Sequence, residues 1–207
     1  NLHSSDEYGR ILMIYPNGVN TFYMTMVNMF ANWKKQKGHE VNLVSTQETG
    51  SSSSAIKNFI QIQYNDPATR PDYIILIGDT PQIPTHYENF SNYNGEGDYP
   101  YTFLAGDDYL GDAFIGRISV ETADQLSTVL SKVYKYEKDI ANDATAAAWL
   151  NRILLIGDPS TSGISCVYNS KYIKELAERV NPDYSFIENY SSGFSSTINS
   201  GINEGVN

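Results

Sequence analysis

The densest concentration of chemically capable side chains lies in Ala105-Gly-Asp-Asp108-Tyr-Leu110-Gly-Asp112-Ala-Phe114. Asp108, Leu110 and Asp112 alternate, so in an extended or looped backbone they can converge as carboxylate, main-chain carbonyl and carboxylate. Glycines at 106 and 111 let the chain fold tightly around an ion. Calcium takes roughly six to eight hard oxygens and commonly mixes these two donor types. An EF-hand is excluded, because its full spacing and terminal bidentate Glu are missing. A solvated turn rich in Asp and Gly is the competing reading. Three carboxylates gathered without a cation would repel one another, which tips the balance toward calcium.

Two apolar runs end alike, in Ile77-Gly78-Asp79 and Ile156-Gly157-Asp158. In open parallel sheets ligands bind beyond the carboxyl ends of strands, where an Asp is well placed for function. An Asp that simply caps the next turn is the competing reading, and geometry alone favours it. No complete catalytic set is present. His3 lies at the start of the chain, His39 follows a helix-ending glycine and His86 sits in a long loop. The one cysteine, Cys166, falls near the start of an amphipathic stretch, where a helix N-terminus would lower a thiol pKa. With no histidine placed beside it, a small, partly buried hydrophobe is the better reading. Gly95-Glu-Gly97-Asp98 lacks the Gly-Lys-Ser/Thr of a phosphate loop.

Short apolar runs alternate with amphipathic stretches along the whole chain. Strands are expected at 10–15, 41–44, 73–77, 101–104, 113–118, 153–156 and 185–190. Helices are expected after Asn20, with Phe22, Met26, Met29, Phe30 and Trp33 on one face, and again through Ile56, Phe59, Ile60 and Tyr64. Thr122 with Gln125 reads as a capping box that opens a long helix with Leu126, Val129, Leu130, Val133 and Ile140 inward. A helix through Ile164, Val167, Tyr168, Leu176 and Val180 and a short one at 196–203 complete the set, and Val206 looks like the start of another strand. Residues 81–100 read as a long loop, of the kind usually functional or tied down. This alternation predicts an α/β three-layer sandwich with a mostly parallel sheet. The segment from Asn142 to Ala148 is the candidate boundary, giving units 1–142 and 143–207.

Composition excludes several classes. Of 207 residues, 41% are hydrophobic and 18% charged, which rules out a disordered chain. A net charge of −10, with aromatics not interleaved with basic residues, argues against nucleic-acid binding. A single cysteine rules out a disulfide scaffold and a thiolate zinc cluster. No apolar run approaches the ~20 residues needed to cross a bilayer.

Taken together, Trp33-Lys-Lys-Gln-Lys-Gly38, Tyr73-Ile-Ile-Leu-Ile-Gly-Asp79-x-x-x-Ile-Pro84, Gly106-Asp-Asp108, Asp112-Ala-Phe-Ile-Gly-Arg117 and a helix ending Tyr136-Glu137 resemble the gingipain-type cysteine peptidases. The match spans essentially the whole chain, and Phe-Ile-Gly-Arg with its acidic lead-in is its most specific part. The resemblance implies a caspase-like fold with two subdomains, the second truncated here, and a secreted or bacterial cell-surface endopeptidase acting on protein or peptide substrates. It implies Ca2+ held by the Asp79, Asp108 and Asp112 carboxylates and the Ala105 and Leu110 carbonyls. It also makes Asp158 the acid that orients the catalytic histidine. Similar proteins place that histidine in a Gly-His-Gly motif after the strand expected at Val206, and the nucleophilic cysteine later still. Neither lies in this sequence, and Cys166 does not match the nucleophile, so the chain alone should not cleave peptides. A catalytically inactive module for binding or secretion is the alternative. A third reading is a doubly wound ligand-binding domain with Asp79 and Asp158 facing a small molecule.

Overall fold

A computed structural model describes residues 8–90, 93–139, 147–190 and 196–203. The chain divides into two compact units, 1–133 and 134–207. The boundary expected at 142/143, the strand expected at Val206, Ile140 and His3 lie outside the described residues.

The first unit is built on four parallel strands, β1 (Arg10–Tyr15), β2 (Glu40–Ser45), β3 (Tyr73–Ile77) and β6 (Phe114–Ile118), in the order β2-β1-β3-β6. Parallel neighbours need crossovers, and the sequence supplies helices for them. Helix α1 (Thr21–Gln36) begins where the Asn20 carboxamide oxygen accepts the Tyr23 N–H at 2.8 Å, and it stops at Gly38, whose φ of +98° favours glycine. A short α2 (Thr46–Thr49) is opened by a Ser45–Glu48 capping box, and α3 (Ser53–Asn65) by Ser52, whose hydroxyl accepts the Ala55 N–H. The chain crosses one way from β1 to β2 and back the other way from β2 to β3, so right-handed connections set α1 and α3 on opposite faces. The pleat agrees. Leu12, Ile14, Ile74 and Leu76 pack with Ile56 and Ile60 of α3, while Ile11 and Met13, pointing the other way, are buried too. Helix α4 (Ala123–Tyr134) follows β6, opened by the expected Thr122–Gln125 box.

Three expectations for this unit are corrected. Residues 101–104 form no strand: Tyr99–Thr102 is a 3-10 turn, because Pro100 fixes φ and removes a ladder donor. The long loop at 81–100 contains an antiparallel hairpin of β4 (His86–Phe90) and β5 (Tyr93–Gly97). The buried face of α1 is Tyr23, Val27, Phe30 and Ala31, leaving Phe22 and Met29 about half exposed. The aromatic and methionine residues had drawn the phase off by one position.

In the second unit, β7 (Arg152–Ile156) pairs in parallel with β8 (Ser185–Asn189) through the crossover helix α5 (Ile164–Val180), and α6 (Ser196–Asn203) packs on both strands. Val167 is the buried residue of α5. Ile164, Tyr168, Leu176 and Val180, along which the helix was expected to run, are exposed, and Cys166, expected to be partly buried, is exposed as well.

Helix α3 provides a direct check on this packing. Ile56→Ala empties a fully buried position and should cost roughly 2–5 kcal/mol in urea unfolding. Ile62→Ala, on the exposed face of the same helix, should stay within about 0.5 kcal/mol.

Candidate active-site region

Asp158 follows β7 directly. The Gly157 N–H extends the β7–β8 pairing by donating to the Asn189 carbonyl, and the chain then turns back into α5. Both oxygens of the Asp158 carboxylate are engaged by one residue: Oδ1 accepts the Ser160 N–H at 2.9 Å and Oδ2 the Ser160 hydroxyl at 2.7 Å. Those two bonds favour the charged form and hold the carboxyl below its ordinary range. The group is solvent-exposed and ionised at neutral pH. Since its folded pKa is lowered, its contribution to stability is present above the ordinary carboxylate range and is lost as pH falls through the folded value. Cys166 sits one turn into α5, its N–H bonded to the Gly163 carbonyl. None of residues 87–207 is a histidine.

Asp79 occupies the equivalent place after β3. Its Oδ1 accepts the Ser119 hydroxyl at 2.6 Å, and its carbonyl accepts the N–H groups of Gln82 and Ile83, forming a turn. The Ser119 bond, the Thr80 N–H and the nearby Arg117 lower its pKa. A polar groove of about 500 Å³ lies at the carboxyl ends of these strands, lined by Asn17, Asn20, Thr46, Gln82 and Glu121 among others. Asp79 is not among the residues that line it.

The acidic loop is built on a different end of the sheet. Asp112 Oδ2 accepts the N–H groups of Leu104 and Ala105 at 2.8 and 2.7 Å, and the Asp112 N–H donates to the Thr102 carbonyl. Asp108 Oδ1 accepts the Leu110 N–H at 2.9 Å. Gly106 takes φ of +75°, and a Cβ on Gly111 would lie 2.8 Å from the Thr102 hydroxyl, so both glycines serve the tight path that their spacing suggested. Lys57 donates to the carbonyls of Phe103 and Tyr101, and Gln61 to that of Leu104, tying the loop to α3.

Register decides which of these carboxylates can meet. Tyr73 pairs with Phe114 and Ile77 with Ile118, so Asp112 lies before the first paired residues and Asp79 beyond the last. At ~3.3 Å per strand residue the two stand on the order of 20 Å apart. The structure therefore brings Asp108, Asp112, Ala105 and Leu110 into one loop and leaves Asp79 outside it. Among the described residues no three His, Cys, Asp or Glu side chains are grouped to hold a metal. The five residues that the resemblance assigns to calcium do not fit a single site.

One contact escaped the sequence reading. Arg117, which follows Gly116 in the Phe-Ile-Gly-Arg run, makes a two-pronged pair with Asp98, Nε to Oδ2 at 2.8 Å and Nη2 to Oδ1 at 2.7 Å. Its Nη1 also donates to the Gly78 carbonyl. Both side chains are largely buried, at 11% and 18% exposure. Alternation along β6 could have flagged an inward-facing arginine, but not its partner 19 residues upstream.

The model for peptidase family C25 matches residues 4–207. Gingipain R2 of Porphyromonas gingivalis is 28% identical over 177 residues, covering 82% of this chain and 23% of the relative. Lys-gingipain W83 of the same organism is 28% identical over 164 residues, covering 77% of this chain and 9% of the relative. The chain thus spans a quarter or less of these relatives. The crystal structure of the Arg-specific cysteine proteinase gingipain R (RGPB) superimposes with a TM-score of 0.79 at 26% identity, covering 96% of this chain and 45% of that one. A complex of the RgpB pro- and mature domains of Porphyromonas gingivalis matches equally well, over 46% of its chain.

Arg117→Ala would leave Asp98 half-desolvated and the Gly78 carbonyl without its guanidinium donor. Urea unfolding should show a loss of roughly 2–3 kcal/mol, with Arg117→Lys recovering part of it. Calcium held at the four loop positions Ala105, Asp108, Leu110 and Asp112 would raise the melting temperature of the 207-residue chain, and Asp108→Ala would remove most of that rise. A melting curve that a chelator leaves unchanged would take calcium away from the loop. With the family model matched over residues 4–207, a caspase-like parallel α/β core and gingipain structures superimposing on it, the chain belongs to the gingipain-type cysteine peptidases, peptidase family C25.

Proposed function

We propose that the chain supplies the first sheet unit and the opening of the catalytic unit of a secreted or cell-surface cysteine endopeptidase. Its substrates would be proteins or peptides, and its histidine and nucleophilic cysteine would lie beyond residue 207. The observation that carries this reading is Asp158: an ionised carboxylate at the carboxyl end of a parallel strand, held in a fixed plane. In that position it can accept the N–H of an imidazole, fix the tautomer and stabilise the imidazolium. The other imidazole nitrogen then takes the thiol proton. The thiolate adds to the substrate carbonyl, forming the C–S bond and sending the π electrons to oxygen. Collapse of the adduct expels the amine, which takes the proton from the imidazolium, and water completes hydrolysis of the thioester.

Cys166 is not assigned the nucleophile's role, since its position does not match that of the nucleophile in the proteins that the chain resembles. No step passes through calcium. The extracellular location follows from the family resemblance. Among the described residues no helix is long and apolar enough to cross a membrane.

A peptide-hydrolysis assay on the longer chain, extending past residue 207, tests the proposal. Asp158→Asn should lower kcat by roughly 10²–10⁴-fold with KM little changed, and the 207-residue chain alone should show no turnover. Turnover by the 207-residue chain that Cys166→Ala removes would move the nucleophile to Cys166. A longer chain with no activity toward any peptide would favour the inactive binding module.

A further inference from the structure

We infer that Ser160 is a positioning residue for the Asp158 carboxylate and that Gly163 is required to leave that carboxylate its place. The inference rests on reading Asp158 as the acid that orients the histidine. A carboxylate on an exposed loop rotates freely about two side-chain torsions, whereas an orienting acid must present one oxygen in one plane. Ser160 removes that freedom by binding both oxygens, one through its N–H and one through its hydroxyl.

An ordinary Asx turn needs only the backbone bond to one oxygen. Here the hydroxyl adds the second, and it is itself held: Ser160 Oγ lies 3.1 Å from Ser162 Oγ and shares the Gly163 N–H, at 3.3 Å, with the Ser160 carbonyl, which accepts the same N–H at 3.0 Å. The Ser160 residue is thus pinned at the start of the 17-residue helix α5 through both its carbonyl and its hydroxyl, with the hydroxyl proton directed at the carboxylate. Two bonds occupy two of the roughly four lone-pair positions of a carboxylate, which leaves room for an imidazole N–H.

Gly163 gives the second line of argument. An ideal Cβ built there overlaps Asp158 Oδ2 and lies 2.5 Å from the Cβ and the carboxyl carbon of Asp158. The φ of Gly163 is −103°, which any residue adopts, so space and not backbone conformation calls for glycine. A methyl group would push the whole Asp158 side chain away from its seat, because the overlap includes its Cβ and not just the mobile carboxylate end.

Two readouts test this, each with Ser160→Ala and Ser160→Thr. In the 207-residue chain, carbon-detected NMR follows titration of the Asp158 carboxyl. The midpoint should lie below the ordinary Asp value in the native sequence and in Ser160→Thr, and rise toward that value in Ser160→Ala. In the longer peptidase, Ser160→Ala should lower kcat roughly tenfold at constant KM, Ser160→Thr should restore it, and Gly163→Ala should lower kcat with the circular dichroism spectrum unchanged. An unmoved midpoint overturns the inference whatever the peptidase does. So does a normal kcat in Ser160→Ala when Asp158→Asn is crippled. A normal kcat in Asp158→Asn itself overturns the reading of Asp158 together with the inference, and the same assay tells the two failures apart.

Discussion

Parallel pairing of the strands is the constraint from which the rest of this structure follows. In a parallel sheet every strand points the same way, so every carboxyl end lies on one edge and every amino end on the other. The register of Tyr73 with Phe114 then settles where each loop goes. Asp79, Gly78 and the polar groove fall on the carboxyl edge of the first unit, and the 105–112 loop falls on the amino edge. The same rule sets Asp158 at the carboxyl end of β7 in the second unit, the edge where α/β enzymes place their chemistry.

In the amino-edge loop the carboxylates of Asp108 and Asp112 meet backbone donors. Asp112 caps the Leu104 and Ala105 N–H groups, Asp108 caps that of Leu110, and Lys57 and Gln61 hold the loop carbonyls from α3. Repulsion between carboxylates is relieved by pointing each one at its own backbone donors. Arg117 performs a comparable service in the interior. Its guanidinium links the segment at Asp98 to the carbonyl at the end of β3, so one side chain fixes both the start of the 3-10 turn and the exit of the central strand.

Much of the fold was legible because its signals are local. Asn20, Ser52 and the Thr122–Gln125 pair cap the helices that their types suggest, and Tyr73-Ile-Ile-Leu-Ile77 is the buried strand that its composition requires. Where the reading failed, the deciding contact was distant or the local signal misled. Tyr101–Leu104 has strand-like side chains but follows Pro100. Phe22 and Met29 are large and apolar yet face outward, while Tyr23, Val27, Phe30 and Ala31 are buried and the Tyr23 hydroxyl donates to the Ile77 carbonyl. The candidate site divides in the same way. Asp158 and its turn are local, and their place at a strand end followed from the apolar run before them. The grouping of Asp79 with Asp112 depended on register, which no spacing within one segment encodes.

The geometry around Asp158 can be measured directly by a crystal structure of the longer chain with a peptide-like inhibitor trapped on its reactive thiol. An oxygen of Asp158, still bound to Ser160, should lie about 2.7–3.0 Å from a ring nitrogen of the histidine that faces that thiol. If that histidine instead leans on a different acid, with Asp158 turned to solvent, the functional assignment of this strand end is wrong.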